Sequence, residues 1–148
     1  MARRLGDELN EMRFQDNLSG SEIVLLYRMP TTRERVAYTN EAYQRKGRKV
    51  INRTVETRMK YGLAILGGFR EGDFERKVGA DWKPIASDSA SDNYFPEWKA
   101  HVEKYASDLV EHLAIRVFEL PVQIPEEDEG TMDEGRGATG EEGLDPNG

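Results

Sequence analysis

Two histidines are the first residues to consider for metal binding or catalysis. His101 and His112 are eleven residues apart, which places them on one face of a helix but about three turns, roughly 16 Å, from each other. One metal ion cannot contact both at that distance, and neither has a second histidine three or four residues away, as zinc-binding helices do. We therefore predict surface or packing roles for both histidines and no metal site.

Carboxylate pairs and glycines give no catalytic pattern either. Asp88 and Asp92 occur in a polar stretch without the glycine and terminal glutamate of an EF-hand calcium loop. A hydrolytic carboxylate pair needs surroundings that separate its two pKa values, and spacing alone provides none. The glycines match neither the GxGxxG pattern nor a phosphate-binding P-loop. The sequence therefore predicts a protein that is not an enzyme and needs no cofactor.

Positive charge is concentrated in residues 45–60. Seven lysines and arginines there are opposed by Glu56 alone. Such a cluster is typical of a phosphate-binding surface. The solvated face of an amphipathic helix has the same composition, and the interleaved aromatic residues of a single-strand platform are missing. As an alternative function we predict nucleic-acid binding through Arg45, Lys46, Arg48, Lys49 and Arg53.

The clearest amphipathic pattern in the chain follows Tyr94. From Trp98 onward, aromatic and aliphatic residues recur at helical spacing, which predicts an apolar stripe along a helix. Core packing explains such a stripe, but any part of it that stays exposed forms a groove for an amphipathic helix of another protein. The predicted partner-binding residues are Tyr94, Phe95, Trp98, Val102, Tyr105 and Leu109.

In the first half of the chain, the elements that must position these residues are predicted mainly as helices. Apolar spacings in residues 5–14 permit a short helix, whereas the run Ile23–Met29 fits either a strand or part of a helix. Thr31 and Glu34 form a capping-box pattern, which predicts a helix that begins there and extends to about Gln44.

The second half is predicted as two helical regions separated by a loop. A helix is expected over 50–66, with Gly62 as its one weak position. Residues 69–94 are rich in glycine and polar residues and are predicted to be loop. Pro96 suits the start of the amphipathic helix, and Ser107-Asp108 either caps a second helix or lies within a single long one.

The end of the chain differs from the rest. Residues 125–148 hold nine carboxylates, six glycines and one arginine, and no aromatic residue, so they cannot form a core. Without them, the 21 basic and 28 acidic residues of the chain become 20 and 19. We predict a mainly α domain, 1–124, of three to five helices with at most one short strand or hairpin, and a disordered acidic glycine-rich tail, 125–148.

Composition also predicts where the protein resides. There is no cysteine, as is usual in a reducing compartment, and the longest apolar run, Ile23–Tyr27, is far too short to span a bilayer. We expect a soluble cytoplasmic protein without a membrane partner. The mean hydropathy of the chain is strongly hydrophilic, which indicates a modest core. A homo-oligomer is therefore also an expected state of this protein.

Two stretches resemble a known family. Leu25–Tyr38 (LLYRMPTTRERVAY), and Tyr94–Lys99 (YFPEWK) continuing to Leu109–Ala114 (LVEHLA), are similar to small morphogenesis proteins of tailed phages, and in particular to tail assembly chaperones. The resemblance implies an α-rich, noncatalytic protein of the host cytoplasm. It would bind a helical partner, such as the tape-measure protein, and help tail-tube subunits to assemble.

Two other functions fit the same composition. A structural component of the head-tail connection would have a similar size and charge. A nucleic-acid-binding protein would use the basic segment 45–60, and the acidic tail would compete with phosphates for it, so that binding would depend steeply on salt.

Overall fold

The computed structural model describes residues 2–122. The chain begins with a hairpin of β1 (Leu9–Gln15) and β2 (Glu22–Arg28), followed by α1 (Thr32–Ala42), a hairpin of β3 (Tyr43–Lys46) and β4 (Lys49–Asn52), α2 (Thr54–Ile65) and β5 (Leu66–Phe69). A third hairpin, β6 (Glu75–Val78) and β7 (Asp81–Pro84), precedes α3 (Trp98–Tyr105), α4 (Ser107–Ala114) and a π-helical segment (Ile115–Glu119). The predicted tail, 125–148, lies outside the described residues.

The expectation of a mainly α fold is wrong. Seven strands accompany the four α-helices of the described range, and they form three antiparallel sheets: a three-stranded sheet in the order β1-β2-β5 and two separate hairpins. The protein is therefore an α/β mixture. Strands were missed because an isolated short segment has little preference of its own, and strand pairing depends on neighbours that local spacing does not reveal.

β1 replaces the helix that was predicted over 5–14. Its half-buried residues, Asn10, Met12 and Phe14, alternate with exposed ones, which is the period of a strand. The register with β2 is unbroken along all seven residues. For Ile23–Met29 the sequence predicted either a strand or part of a helix, and the structure shows the strand β2. β2 also pairs with β5, which begins directly after α2.

The predicted capping box at the start of α1 is confirmed. The Thr31 hydroxyl accepts from the Glu34 amide, and the Glu34 carboxylate accepts from the Thr31 amide. Arg28, at the end of β2, also donates two bonds of 2.8 Å to the same carboxylate. The arginine's hydrogen bonds lower the pKa of Glu34 to about 2, so this ion pair joins the sheet to α1 throughout the neutral range.

The helix predicted over 50–66 begins later than expected. Residues 49–52 form β4, which turns back on β3 through Gly47, a residue with a positive φ of 62°. The side chain of Asn52 then accepts from the Thr54 amide at 2.9 Å, where α2 begins. Arg45, Lys46, Arg48 and Lys49 therefore belong to a two-stranded ribbon, whereas Arg58 and Lys60 lie in α2.

The region predicted as loop, 69–94, contains the β6–β7 hairpin. After it the amphipathic region divides into two helices at Ala106, whose φ of −133° and ψ of 38° interrupt the helical backbone. A break was one of two predicted arrangements, although the expected side-chain cap is not formed. Ala106 therefore separates α3 from α4 without a connecting loop.

One core fills the space between the sheet, helices α2, α3 and α4, and the π-helical segment. Its buried residues are Ile23, Leu25, Ile65, Leu66, Phe69, Ile85, Val102, Leu109, Val110, Leu113 and Val117. A second, smaller cluster joins α1 and α2 to the π-helical segment: the rings of Tyr38 and Phe118 stack at 4.5 Å, and Tyr61 packs against the edges of both. The C-terminal segment is thus packed against both helices.

Candidate functional site

A groove of about 770 Å³ lies between the β1–β2 turn, the β6–β7 hairpin and helices α3 and α4. The buried and half-buried apolar residues of its lining are Ile23, Phe74, Ile85, Val102, Ala106 and Leu109. All six are members of the main core or packed against it, so the groove floor is continuous with the core. The volume is in the range of known ligand pockets.

The break at Ala106 shapes one wall of the groove. The Ala106 amide donates to the Val102 carbonyl, and the Leu109 amide donates to the Ala106 carbonyl, so the two helices meet without a spacer. Val102 and Leu109 are buried, whereas Tyr105 is 69% exposed at the edge of the groove. The spacing of these three residues, i, i+3 and i+7, is that of one helix face, and it is kept across the break at Ala106.

Two exposed aromatic residues flank the groove. Trp82, on β7, is 63% exposed, and Tyr105 lies on the helical wall. His101 also lines the groove and packs between the rings of Phe95 and Tyr105, at 5.2 and 5.0 Å. Exposed aromatic residues beside an apolar floor are typical of protein-binding surfaces.

The groove is rimmed by carboxylates. Asp16, Asp73, Glu75 and Asp108 are all lining residues, and no lysine or arginine is among them. Arg70 pairs with Asp73 at 3.1 Å, but the other three have no lysine or arginine within 4 Å in the described part of the chain. The rim therefore has a net negative charge that is available to a ligand.

Asp16 is held in place by the turn that it begins. Its carboxylate accepts from the Ser19 hydroxyl at 2.6 Å and from the amides of Leu18 and Ser19. The hydroxyl bond is the largest cause of a lowered pKa at Asp16. The carboxylate is thus ionised and fixed in direction at neutral pH.

Three of the six predicted partner-binding residues line this groove: Val102, Tyr105 and Leu109. The other three lie elsewhere. Trp98 packs edge-on against Phe69, Phe95 lies under the guanidinium of Arg76 at 4.5 Å, and Tyr94 forms a bridge with Ala86. The predicted apolar ridge is therefore divided between the groove and the packing of the domain.

The predicted nucleic-acid-binding residues come together on the β3–β4 hairpin. Arg45, Lys46, Arg48 and Lys49 are all exposed, and Arg53 follows at the start of α2, where it pairs with Glu56. The first four have no carboxylate within salt-bridge distance among residues 2–122. Exposed Tyr43 lies two residues before Arg45, on the same face of the ribbon.

Several groove residues had no functional signal in the sequence. Asp16 lies in the β1–β2 turn, and Glu75 and Trp82 lie on the β6–β7 hairpin; only the tertiary fold brings these segments to Asp108. No three histidine or acidic residues of the described range are close enough together to hold a metal ion. None of its helices has the length and apolar character needed to cross a membrane.

The geometry defines a small α/β protein with an apolar, acid-rimmed groove of peptide size. Comparison with known proteins does not narrow this class further. No family model, curated protein or solved structure matches the chain. The resemblance to tail assembly chaperones therefore stays a prediction.

Proposed function

We propose that this protein is a noncatalytic assembly factor that binds an amphipathic, positively charged helix of a partner protein in the groove. The observation that carries the proposal is the combination of an apolar floor with three rim carboxylates that have no lysine or arginine partner among residues 2–122. In the tail-assembly setting that the resemblance implies, the partner would be a tape-measure or tail-tube protein.

The chemistry of the groove favours this ligand over others. An amphipathic helix places apolar residues at i, i+3 or i+4 and i+7 into a groove, and lysines or arginines beside them would meet Asp16, Glu75 and Asp108. The rings of Trp82 and Tyr105 are exposed at the edge, where they can cover the partner's aliphatic side chains or stack on a guanidinium. A polyanion would be repelled by the same rim.

Truncation of the exposed groove aromatics tests this proposal. We expect Tyr105→Ala and Trp82→Ala each to weaken binding of a synthetic amphipathic helix with lysine flanks about tenfold, because buried interface aromatics contribute most to affinity. Binding is measured by calorimetry on the full chain. Both side chains are mostly exposed, so stability should change by less than about 0.5 kcal/mol.

Matched controls distinguish binding in the groove from nonspecific binding to exposed aromatic residues. Tyr43→Ala removes a tyrosine that is 58% exposed on the β3–β4 hairpin, and it should leave the affinity unchanged. The same peptide with glutamate flanks should bind at least tenfold more weakly to the wild type. Equal affinity for both peptides, or equal loss in all three variants, would refute the groove as the binding site.

The exposed hairpin supports nucleic-acid binding as a second candidate function. A two-stranded ribbon fits the major groove of DNA, and the four cations of β3–β4 are not neutralised within the described residues. If all four contact phosphates, the affinity for duplex DNA should fall with salt with a log-log slope of about −3.6.

The test of this second function replaces Arg45, Lys46, Arg48 and Lys49 by alanine. Filter binding to a short DNA duplex should show that the affinity of this variant hardly changes with salt, with a log-log slope close to zero. The control is a triple variant that removes basic residues from the β6–β7 hairpin instead: Arg76→Ala, Lys77→Ala and Lys83→Ala. Its affinity for DNA should keep the steep dependence on salt. A wild-type slope near zero, or the same slope in both variants, would exclude the hairpin as the site.

A further inference from the structure

β1 is an open edge of the three-stranded sheet. The opposite edge, β5, is only four residues long, and the Ser87 hydroxyl both accepts from the Phe69 amide and donates to the Phe69 carbonyl. β1 has seven residues, and apart from its pairing with β2 its backbone makes no hydrogen bond within residues 2–122. A row of unpaired amides and carbonyls is a template for another strand.

The residues of β1 do little to block such pairing. The strand has no proline, no lysine and no bulge in its register with β2, although these are the usual devices that protect an edge. On its inner face Met12 and Phe14 are only half buried. A neighbouring strand would cover more of both side chains and extend the apolar face of the sheet.

The charges of β1 make the strand complementary to itself. Glu11 and Arg13 are both exposed, on the outer face, on either side of Met12, and within the chain Arg13 pairs with Glu11 at 3.0 Å and with Glu22 at 2.8 Å. In an antiparallel pair centred on Met12, Glu11 of one copy lies opposite Arg13 of the other, twice. Registers centred on Glu11 or on Arg13 would instead place like charges opposite each other, which is destabilising. The inner face of the Met12 register pairs Met12 with Met12, and Asn10 with Phe14.

We propose that two copies of this chain associate through β1, antiparallel and about a two-fold axis at Met12, to form one continuous sheet of six strands. Such an interface is isologous and closed, so it gives a dimer rather than a filament. Its small size places it with transient interfaces. The pairing uses none of the residues that line the groove, so it is independent of the proposed function.

Charge exchange at the two positions tests the proposal. The full chain should show a concentration-dependent monomer–dimer equilibrium in sedimentation velocity. Glu11→Arg places arginine opposite arginine in both pairs, and Arg13→Glu places glutamate opposite glutamate. Each single variant should weaken self-association at least tenfold. The double variant E11R/R13E restores both pairs and should dimerise like the wild type.

Mixing the two single variants is the most specific part of the test. A heterodimer of Glu11→Arg with Arg13→Glu has opposite charges in both pairs, so it should form although neither variant dimerises by itself. Arg33→Glu, an exposed arginine of α1, controls for net charge and should leave dimerisation unchanged. Circular dichroism melts check that every variant is folded.

Disulfide trapping tests directly which β1 residues of the two copies lie opposite each other. The chain has no cysteine, so Glu11→Cys mixed with Arg13→Cys should yield a cross-linked heterodimer faster than either variant yields a homodimer. A chain that is monomeric at all concentrations would overturn the proposal. So would a dimer that is insensitive to both single charge reversals.

Discussion

Gly62→Val is expected to lower the free energy of unfolding by about 3 kcal/mol. Gly62 is buried in α2 against α4, and a methyl group added to it would lie 2.7 Å from the Val110 carbonyl oxygen and 2.8 Å from its Cγ1. A carbonyl within a helix cannot turn away, so the two helices would have to separate. Gly62→Ala should cost about 1 to 2 kcal/mol, because alanine regains roughly 1 kcal/mol of helix propensity.

Ala64→Val provides the matched control for this prediction. Ala64 lies in the same helix but is exposed, so valine there should cost only its lower helix propensity, about 0.6 kcal/mol. Urea denaturation of the three variants gives the comparison. If Gly62→Ala stabilised the protein, as it would on an exposed helix face, the close contact between α2 and α4 would be wrong.

Glu119→Ala should lower the free energy of unfolding by about 2 kcal/mol. The Glu119 carboxylate accepts from the Tyr38 hydroxyl, and Arg58 donates to it at 2.8 and 3.0 Å. Tyr38 is only 4% exposed, so its hydroxyl would lose an acceptor that water replaces poorly. The Glu119 side chain is 29% exposed, which keeps the effect below that of a fully buried ion pair.

The same contact predicts a dependence on pH. Arg58's hydrogen bonds lower the pKa of Glu119 in the folded protein. Because the pKa is lower in the folded protein, the contact stabilises the fold fully when the pH is above the pKa of the unfolded chain, near 4.3. This stabilisation disappears as the pH falls through the pKa of the folded protein. The difference in stability between the wild type and Glu119→Gln should therefore shrink as the pH falls below about 5.

Chemical denaturation at several pH values measures this difference. Glu103→Gln changes an exposed glutamate of α3 and should follow the wild type at every pH. A gap between the wild type and Glu119→Gln that stayed constant down to pH 2 would show that the charge of Glu119 is not what stabilises the contact.

The parts of the fold that the sequence predicted correctly depend on local chemistry. The capping box at Thr31 and Glu34 involves residues three apart, so the pattern alone identifies the start of α1. The strands depend on distant partners: Leu25 of β2 lies opposite Phe69 of β5, and nothing near either residue specifies the other. Gly62 was taken as a weak position in a helix, yet its missing side chain is what lets α4 approach.

The candidate site was predictable only on its helical wall. Val102, Tyr105 and Leu109 follow a helical period that the sequence displays, whereas Trp82 was visible only as an apolar residue in a presumed loop. The rim carboxylates had no local signal, because their relation to the groove arises from the folding of three separate segments. The basic cluster was recognised by composition, but its ribbon form was not.

The packing of the π-helical segment has a consequence for the order in which the chain folds. Tyr38 bonds to Glu119 and Arg35 to the Val117 carbonyl, across 81 and 82 residues, whereas each hairpin closes locally. Closing so long a loop has a high entropic cost, so contacts of this segment should form after the transition state. Their loss would then accelerate unfolding and leave the folding rate nearly unchanged. The C-terminal segment would govern how long the domain stays folded rather than how fast it folds.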